Sequence, residues 1–504
     1  MGPPVFKTGG AALGVARWVR LPRAPATARA GDSALAPEDR MANDARPRPP
    51  SVDRILAILA AQDVEVSERD ALTTLVRAVL DEERRRLAAG APPTAEGDLA
   101  DAVQDRLEDL DDATLTMPPQ VINATGVILH TNLGRAPWPA AAIRAASQAA
   151  RSYGYLELDE STGRRGPRYR EAEDHLVAAT GADDAMVVTN NAAALALAVG
   201  LAGRRGSVVV SRGELVEIGG GVRIPEVIAR AGARLIEVGT TNRTRPVDFE
   251  SPLAEGRARV VLRVHPSNFA ISGFAESADL AEVAAIAHRH DAIVIDDLGS
   301  GALLDTADFG LAHEPTPRER LAAGADVVLF SGDKLIGGPQ AGLIVGRADL
   351  VARLRRDPLA RAVRPDKAIL AGVAATLAVY RAGRAVLDIP VWQTIALGAH
   401  TIRERAEWIV GLLPALTPES ANVSIVELAS PVGGGSLPGQ TLPSFGLAVR
   451  VASPSRSAAK LRTSPDRIVA RIEDGTIVFD LRTVPRFDDG TIARAIAEIS
   501  APRS

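Results

Sequence analysis

The stretch Val327-Val-Leu-Phe-Ser331-Gly-Asp-Lys334-Leu-Ile-Gly-Gly-Pro-Gln340 runs an unbroken apolar segment into a glycine-rich loop that carries a lysine. A short apolar run closed by turn residues reads as a fully buried strand. Glycines beyond it let the backbone and a flat ligand approach closely. A lysine held at such a strand end, partly desolvated, is a nucleophilic amine able to form a Schiff base. Ser331 precedes it and can donate its hydroxyl to a phosphate. On this motif alone, a surface lysine in a turn is an equal reading, since most lysines are exposed. The neighbouring strand ends have to choose between the two.

Upstream, Ile293-Val-Ile-Asp296-Asp297-Leu-Gly-Ser-Gly301 is another apolar strand, and it ends in two acids. One of them could pair with a protonated pyridine nitrogen and so make the ring an electron sink. A cap or loop acid is the ordinary alternative. The position one strand–helix unit before the lysine strand favours the first reading, with Asp297 preferred over Asp296. Further upstream, Val187-Val-Thr-Asn190-Asn191-Ala192-Ala passes from strand to helix. Amide and small residues at a helix start expose free N–H groups and the positive end of the dipole, a seat for phosphate. Asn190 as a simple N-cap is the alternative.

His265-Pro-Ser-Asn268 ends a further core strand and so faces the same sheet edge. His265 and Asn268 are candidates there, beside the reading of His265 as a satisfied core histidine. Arginines cluster in three places: Arg135 in His130-Thr-Asn-Leu-Gly-Arg, Arg164 to Arg170 in Gly163-Arg-Arg-Gly-Pro-Arg-Tyr-Arg, and Arg361 and Arg364 in Leu359-Ala-Arg-Ala-Val-Arg-Pro-Asp-Lys367. Guanidinium forks fit oxyanions, although surface ion pairing accounts for most arginines.

From about Val121 to Gly346 short β runs alternate with helical stretches. The expected strands are 185–188, 208–210, 235–238, 260–264, 293–295, 327–330 and 343–345, with helices such as 192–201 and 280–290 between them. This alternation predicts a mostly parallel seven-stranded sheet covered by helices, with ligands at the carboxyl ends of its strands. Residues 118–385 are therefore expected to form the catalytic core. Residues 386–504 are expected to form a smaller α/β domain, with strands at 424–428, 446–451, 468–472 and 476–480 and a helix at 490–499. Residues 51–117 show helical spacing in Val52, Ile55, Leu56 and Leu59, in Leu72 to Leu80, and in Leu99, Val103, Leu107 and Leu110. They form a small helical domain. Residues 1–50 are rich in Pro, Ala, Gly and Arg, and are expected to be a disordered tail, with Met41 as the preferred start of translation.

Composition narrows the chemistry. At 504 residues the chain needs several domains. With no cysteine it has no thiolate nucleophile, no iron–sulfur cluster and no thiol to carry sulfur or selenium. A net charge of −4 offers no bulk field for DNA. No apolar run approaches the ~20 residues that span a bilayer, so no membrane partner is expected. No histidine pair has ligand spacing with a carboxylate, so no metal is expected.

Eight segments together resemble bacterial selenocysteine synthase, the L-seryl-tRNA(Sec) selenium transferase family. They are INATGVILHTNLGRAPWP (122–139), STGRRGPRYR (161–170), VTNNAAA (188–194), SRGELVEIGG (211–220), VGTTNRTR (238–245), HPSNF (265–269), DLGSGALLD (297–305) and SGDKLIGGPQAG (331–342). The resemblance runs from about Ser51 almost to the C-terminus. It implies an aspartate-aminotransferase-like fold of type I and a pyridoxal 5'-phosphate cofactor held by Lys334. Asp333 would sit at the reacting centre, and Arg135, Arg361 and Arg364 would bind the oxyanion of selenophosphate. The activity implied is conversion of seryl-tRNA(Sec) to selenocysteinyl-tRNA(Sec), by β-elimination to an aminoacrylate and addition of selenium. The helical domain would hold the tRNA in a cytoplasmic homo-oligomer built from dimers, with a decamer as the family expectation. That domain carries 7 Arg and no Lys against 16 acids between residues 51 and 112, so phosphate contacts would rest on a few arginines such as Arg84, Arg85 and Arg86. Two other readings compete. One is a small-molecule β-eliminating lyase on the same scaffold, the other a non-catalytic tRNA-binding protein.

Overall fold

The computed structural model describes residues 47–500 except 63, 65–67, 112–117, 167, 219–220, 267–272 and 417–421. Residues 1–46 of the expected tail, with Met41, therefore lie outside the described residues, as does Asn268. The chain divides into two compact units, Met1–Pro118 and Pro119–Ser504.

The described part of the smaller unit holds helices α1 (Val52–Ala61), α2 (Arg69–Ala88) and α3 (Glu96–Asp111). Ser51 caps α1 by accepting from the Arg54 N–H at 3.2 Å. The apolar stripes meet in one core of Ile55, Leu59, Val76, Val79, Leu80, Leu99, Ala100 and Val103. The stripe expected on α3 is shorter than its spacing suggests. Leu110, at the last turn of α3, is 62% exposed. The α2–α3 turn is tied by buried Glu83, which accepts from the Thr94 N–H at 2.9 Å and pairs with Arg86 at 2.5 Å.

The strands of the larger unit are β1 (Ile122–Ala124), β2 (Asp184–Val188), β3 (Ser207–Ser211), β4 (Glu217–Ile218), β5 (Val222–Arg223), β6 (Arg234–Val238) and β7 (Val260–Val264). They continue as β8 (Ile293–Gly299), β9 (Val327–Ser331), β10 (Gly342–Gly346), β11 (Val423–Pro431), β12 (Thr441–Val449), β13 (Ile468–Glu473) and β14 (Thr476–Asp480). The main sheet has seven strands in the order β2-β10-β9-β8-β7-β3-β6. All its pairings are parallel except those of β10, which runs antiparallel to both neighbours. This is the α/β architecture expected, and each predicted strand of the sheet is present within a residue or so, β8 alone running on by four.

Strands β3, β7 and β9 are buried along their whole length, as helices on both faces require. Alternation sends Val209, Val261 and Val294 to one core and Val208, Val210 and Ile295 to the other. Chain order reverses around β3, β6 and β7, the kind of switch point where such sheets leave a crevice at their carboxyl ends.

A second sheet has five strands in the order β1-β13-β14-β12-β11. Its first strand comes from the start of the larger unit. Ile122, Asn123 and Ala124 lie parallel to Ile468, Val469 and Ala470. The expected boundary at residue 386 is also not a packing boundary. Ile389, Val391, Trp392 and Ile395 pack with Leu129, Leu335, Val432 and Leu437, joining the two sheets through one apolar cluster. Among the described residues no helix is long and apolar enough to cross a membrane.

Candidate active site

Strands β7, β8 and β9 end side by side because their registers pair Val264 with Asp297 and Asp297 with Leu329. Their carboxyl ends, with the start of the helix Asn191–Val199, open into a cleft of about 750 Å³. Arg135, Asn190, Asn191, Ala192, His265, Asp297, Ser331, Asp333 and Lys334 all line it. The structure thus brings together most of the residues singled out above. Arg361 and Arg364 are not among the lining residues. Both are exposed, and Arg364 donates to Glu157 at 2.9 Å.

Lys334 follows β9 in a turn packed under the Gly-Gly-Pro segment, and its Nζ donates to the Gly435 carbonyl at 3.4 Å. Burial pushes the amine below its ordinary range, and the nearby Asp297 carboxylate opposes that push. Asp297 Oδ1 accepts from Asn191 Nδ2 at 2.8 Å and from the Gly299 N–H at 3.1 Å. Burial outweighs both bonds and the Lys334 charge, lifting the carboxyl to about 6. Strand alternation settles the placement of the two acids. Asp296 belongs to the other side, where it accepts from Arg320 Nε at 2.5 Å and Nη2 at 3.1 Å.

Asn190 caps the helix, its Oδ1 accepting from the Ala193 N–H at 2.9 Å. The N–H groups of the first turn have no intrahelical partners and stand at the cleft wall with the positive end of the dipole. Gly342 is needed just behind them, since a Cβ there would lie 2.2 Å from the Asn190 carbonyl oxygen. Arg135 adopts a left-handed backbone with φ of 63° and pairs with Asp333 at 2.5 Å. That pair neutralises the acid next to Lys334 and fixes the loop before it.

These groups match the three ends of pyridoxal phosphate: an amine for its aldehyde, a buried acid for its ring nitrogen and a helix start for its phosphate. Among the described residues the buried Asn191 Oδ1 and His265 Nδ1 have no hydrogen-bond partner, as expected where a polar ligand completes the set.

One wall of the cleft escapes the reading by strand ends. Residues 431 and 433–440, the loop between β11 and β12, line it from the second sheet. Its sequence Gly433-Gly-Gly-Ser-Leu-Pro-Gly-Gln440 is a turn signal of the strongest kind. The signal is present, but only the folding of the second sheet onto the first places it at the site.

Comparison with known proteins follows from this geometry. The model of the family described as SelA, L-seryl-tRNA selenium transferase, matches residues 121–485. The chain belongs to this family. A relative from Carboxydothermus hydrogenoformans named L-seryl-tRNA(Sec) selenium transferase is 42% identical over 443 residues, covering 86% of this chain and 93% of that one. A relative of the same name from Moorella thermoacetica is 41% identical over 456 residues, covering 89% and 96%. That span exceeds the larger unit, so the likeness to the selenium transferases reaches into the helical unit. The structure of D-glucosaminate-6-phosphate ammonia-lyase superposes with a TM-score of 0.54 at 23% identity, covering 76% of this chain and 97% of that one, and shares the fold.

Proposed function

We propose that this protein converts seryl-tRNA(Sec) to selenocysteinyl-tRNA(Sec) with pyridoxal phosphate as cofactor and selenophosphate as selenium donor. The observation that carries the reading is the placing of half-buried Lys334 and buried Asp297 in one cleft at the carboxyl edge of the sheet, beside an open helix start. Two relatives above 40% identity that are named for this reaction support it.

Bound there, the cofactor supplies an electron sink for charge developing at the substrate α-carbon. Lys334 would hold it through its amine and, once free, would take the α-proton of the substrate. Its lowered pKa suits that exchange of roles, because a general base works best when its pKa lies near the working pH. Asp297 faces the ring nitrogen and holds its proton. Asn190, Asn191, Ala192 and Ser331 would hold the phosphate, and His265 would stand by the ring. The serine hydroxyl would then leave the β-carbon as water, selenium from selenophosphate would be added at that β-carbon with release of phosphate, and the α-carbon would be reprotonated. With no cysteine in the chain, selenium passes from a directly bound donor. Arg135, released from Asp333, grips that donor's oxyanion. Arg361 and Arg364, exposed on the single chain, serve the same purpose within the cytoplasmic homo-oligomer, built from dimers up to a decamer.

The helical unit holds the tRNA. Arg84 and Arg85 are exposed and, among the described residues, pair with Asp81 and Glu82 on their own helix. Such surface pairs are worth at most ~1 kcal/mol, so a phosphate can displace them. Arg86 is instead committed to buried Glu83.

The test is conversion of seryl-tRNA(Sec) by the purified, cofactor-loaded protein with selenophosphate. A small-molecule lyase ignores the tRNA, and a non-catalytic binder holds it without turnover. Either result overturns the proposal. Arg135→Ala should keep the cofactor's visible band while selenium incorporation falls on the order of 10-fold or more, the loss of one charged hydrogen bond. Unchanged turnover at subsaturating selenophosphate would remove Arg135 from the donor site.

A further inference from the structure

The glycine loop after β11 contains a group that the proposed chemistry leaves unused. Ser436 is 1% exposed, lines the cleft, and its Oγ has no hydrogen-bond partner among the described residues. A buried hydroxyl without a partner costs ~1–3 kcal/mol, so its persistence points to a ligand atom. Next to it, the Gly435 carbonyl accepts from Lys334 Nζ at 3.4 Å. It therefore stands at the spot an incoming amine must reach to replace the lysine.

The loop is held firmly. Gly433, Gly434 and Gly435 all have positive φ, of 75°, 58° and 77°. A Cβ on Gly434 would lie 2.5 Å from the Leu129 carbonyl oxygen. Leu437 is buried in the cluster that joins the two sheets, and Gln440 Oε1 accepts from the Ala312 N–H at 3.1 Å. The cations lining the cleft among the described residues are Lys334 and Arg135, and Arg135 is neutralised by Asp333 at 2.5 Å. Residues 433–440 themselves carry no cationic side chain, so this wall presents a hydroxyl donor and a carbonyl.

We propose that Gly435 and Ser436 seat the aminoacyl ester of the substrate: the Gly435 carbonyl accepts from the α-amine and the Ser436 hydroxyl donates to the ester carbonyl. The inference rests on the aminoacyl-tRNA reading above and adds how this wall selects an esterified amino acid. An ester carbonyl is neutral and is satisfied by one hydroxyl donor. A free carboxylate moved into the same place loses its hydration and gains no cation from this loop. Ser436 is therefore a specificity-determining residue that excludes free serine.

The experiment titrates the cofactor-loaded protein with L-serine methyl ester and with free L-serine, following the visible spectrum of the cofactor. The wild type should bind the ester at least ~10-fold more tightly, a difference of about 1.4 kcal/mol. Ser436→Ala should keep the spectrum of the loaded protein, raise KM for seryl-tRNA(Sec) more than it lowers kcat, and shrink the ester preference. Ser436→Thr, which keeps the hydroxyl, should restore much of it. Equal affinity for ester and acid in the wild type overturns the proposal without recourse to any variant. So does an ester preference that Ser436→Ala leaves intact. A wild type that prefers the ester but leaves seryl-tRNA(Sec) unconverted refutes the tRNA reading while leaving the ester seat in place.

Discussion

Lys334→Ala should give a folded protein that shows no visible cofactor band, yields no borohydride-fixed adduct and converts no seryl-tRNA(Sec). The side chain lies in the cleft on a rigid turn after β9, and its loss opens space without breaking a core contact, since its one hydrogen bond is the 3.4 Å contact to Gly435. Stability should therefore change little. Turnover should fall by roughly 10⁴-fold or more, because one residue supplies both the covalent attachment and the α-proton base. An adduct that persists in the variant would place the cofactor on an amine outside this cleft and would refute the site.

Asp297→Asn has the second largest effect, and it acts in opposite directions on activity and on stability. Burial lifts this carboxyl from an ordinary 3.8 to about 6, against the opposing pull of Asn191 and Lys334. The folded cofactor-free protein thus binds a proton that the unfolded chain has released. Stability falls as pH rises from about 4 to about 6 and is level above that range. A displacement of that size corresponds to about 3 kcal/mol. The amide introduced by the substitution keeps an acceptor for Asn191 Nδ2 and carries no charge. The cofactor-free variant should consequently be more stable than the wild type at neutral pH, and the two should converge as pH falls toward 4, the ordinary carboxyl value of about 3.8. With cofactor and substrate the same change should cost on the order of 10²–10³-fold in turnover, the scale of losing one preorganised electrostatic partner. Unfolding of both cofactor-free proteins across this pH range tests the first half. A stability difference that does not depend on pH would show that Asp297 is ionised throughout and remove the argument from burial.

Much of this architecture is visible along the chain because its strands are short, apolar and buried on both faces. Such runs, at Val208–Val210, Val260–Val264 and Val327–Phe330, have few alternatives to a covered parallel sheet. Residues at the strand ends could therefore be nominated as a group, and most of those nominated line one cleft. Choosing between Asp296 and Asp297 depended on strand phase. Adjacent residues face opposite sides, and only the packed sheet shows that Arg320 occupies the side of Asp296. Local pattern also overstated the stripe on α3, where Leu110 continues the helical spacing and is nevertheless exposed.

By itself, the sequence determined the strand and helix periods, the lysine and acid at successive strand ends, the helix start that faces them and the family resemblance. These are local properties, set by side-chain period and by what a strand end can carry. The tertiary structure alone decided that Ile122–Ala124 joins the second sheet beside Ile468–Ala470, and that Gly433–Gln440 closes the cleft around Lys334. Both bring together residues hundreds of positions apart or on different sheets. A three-residue pairing and a glycine turn gain their partners from packed apolar clusters, and nothing in their own neighbourhood names those partners.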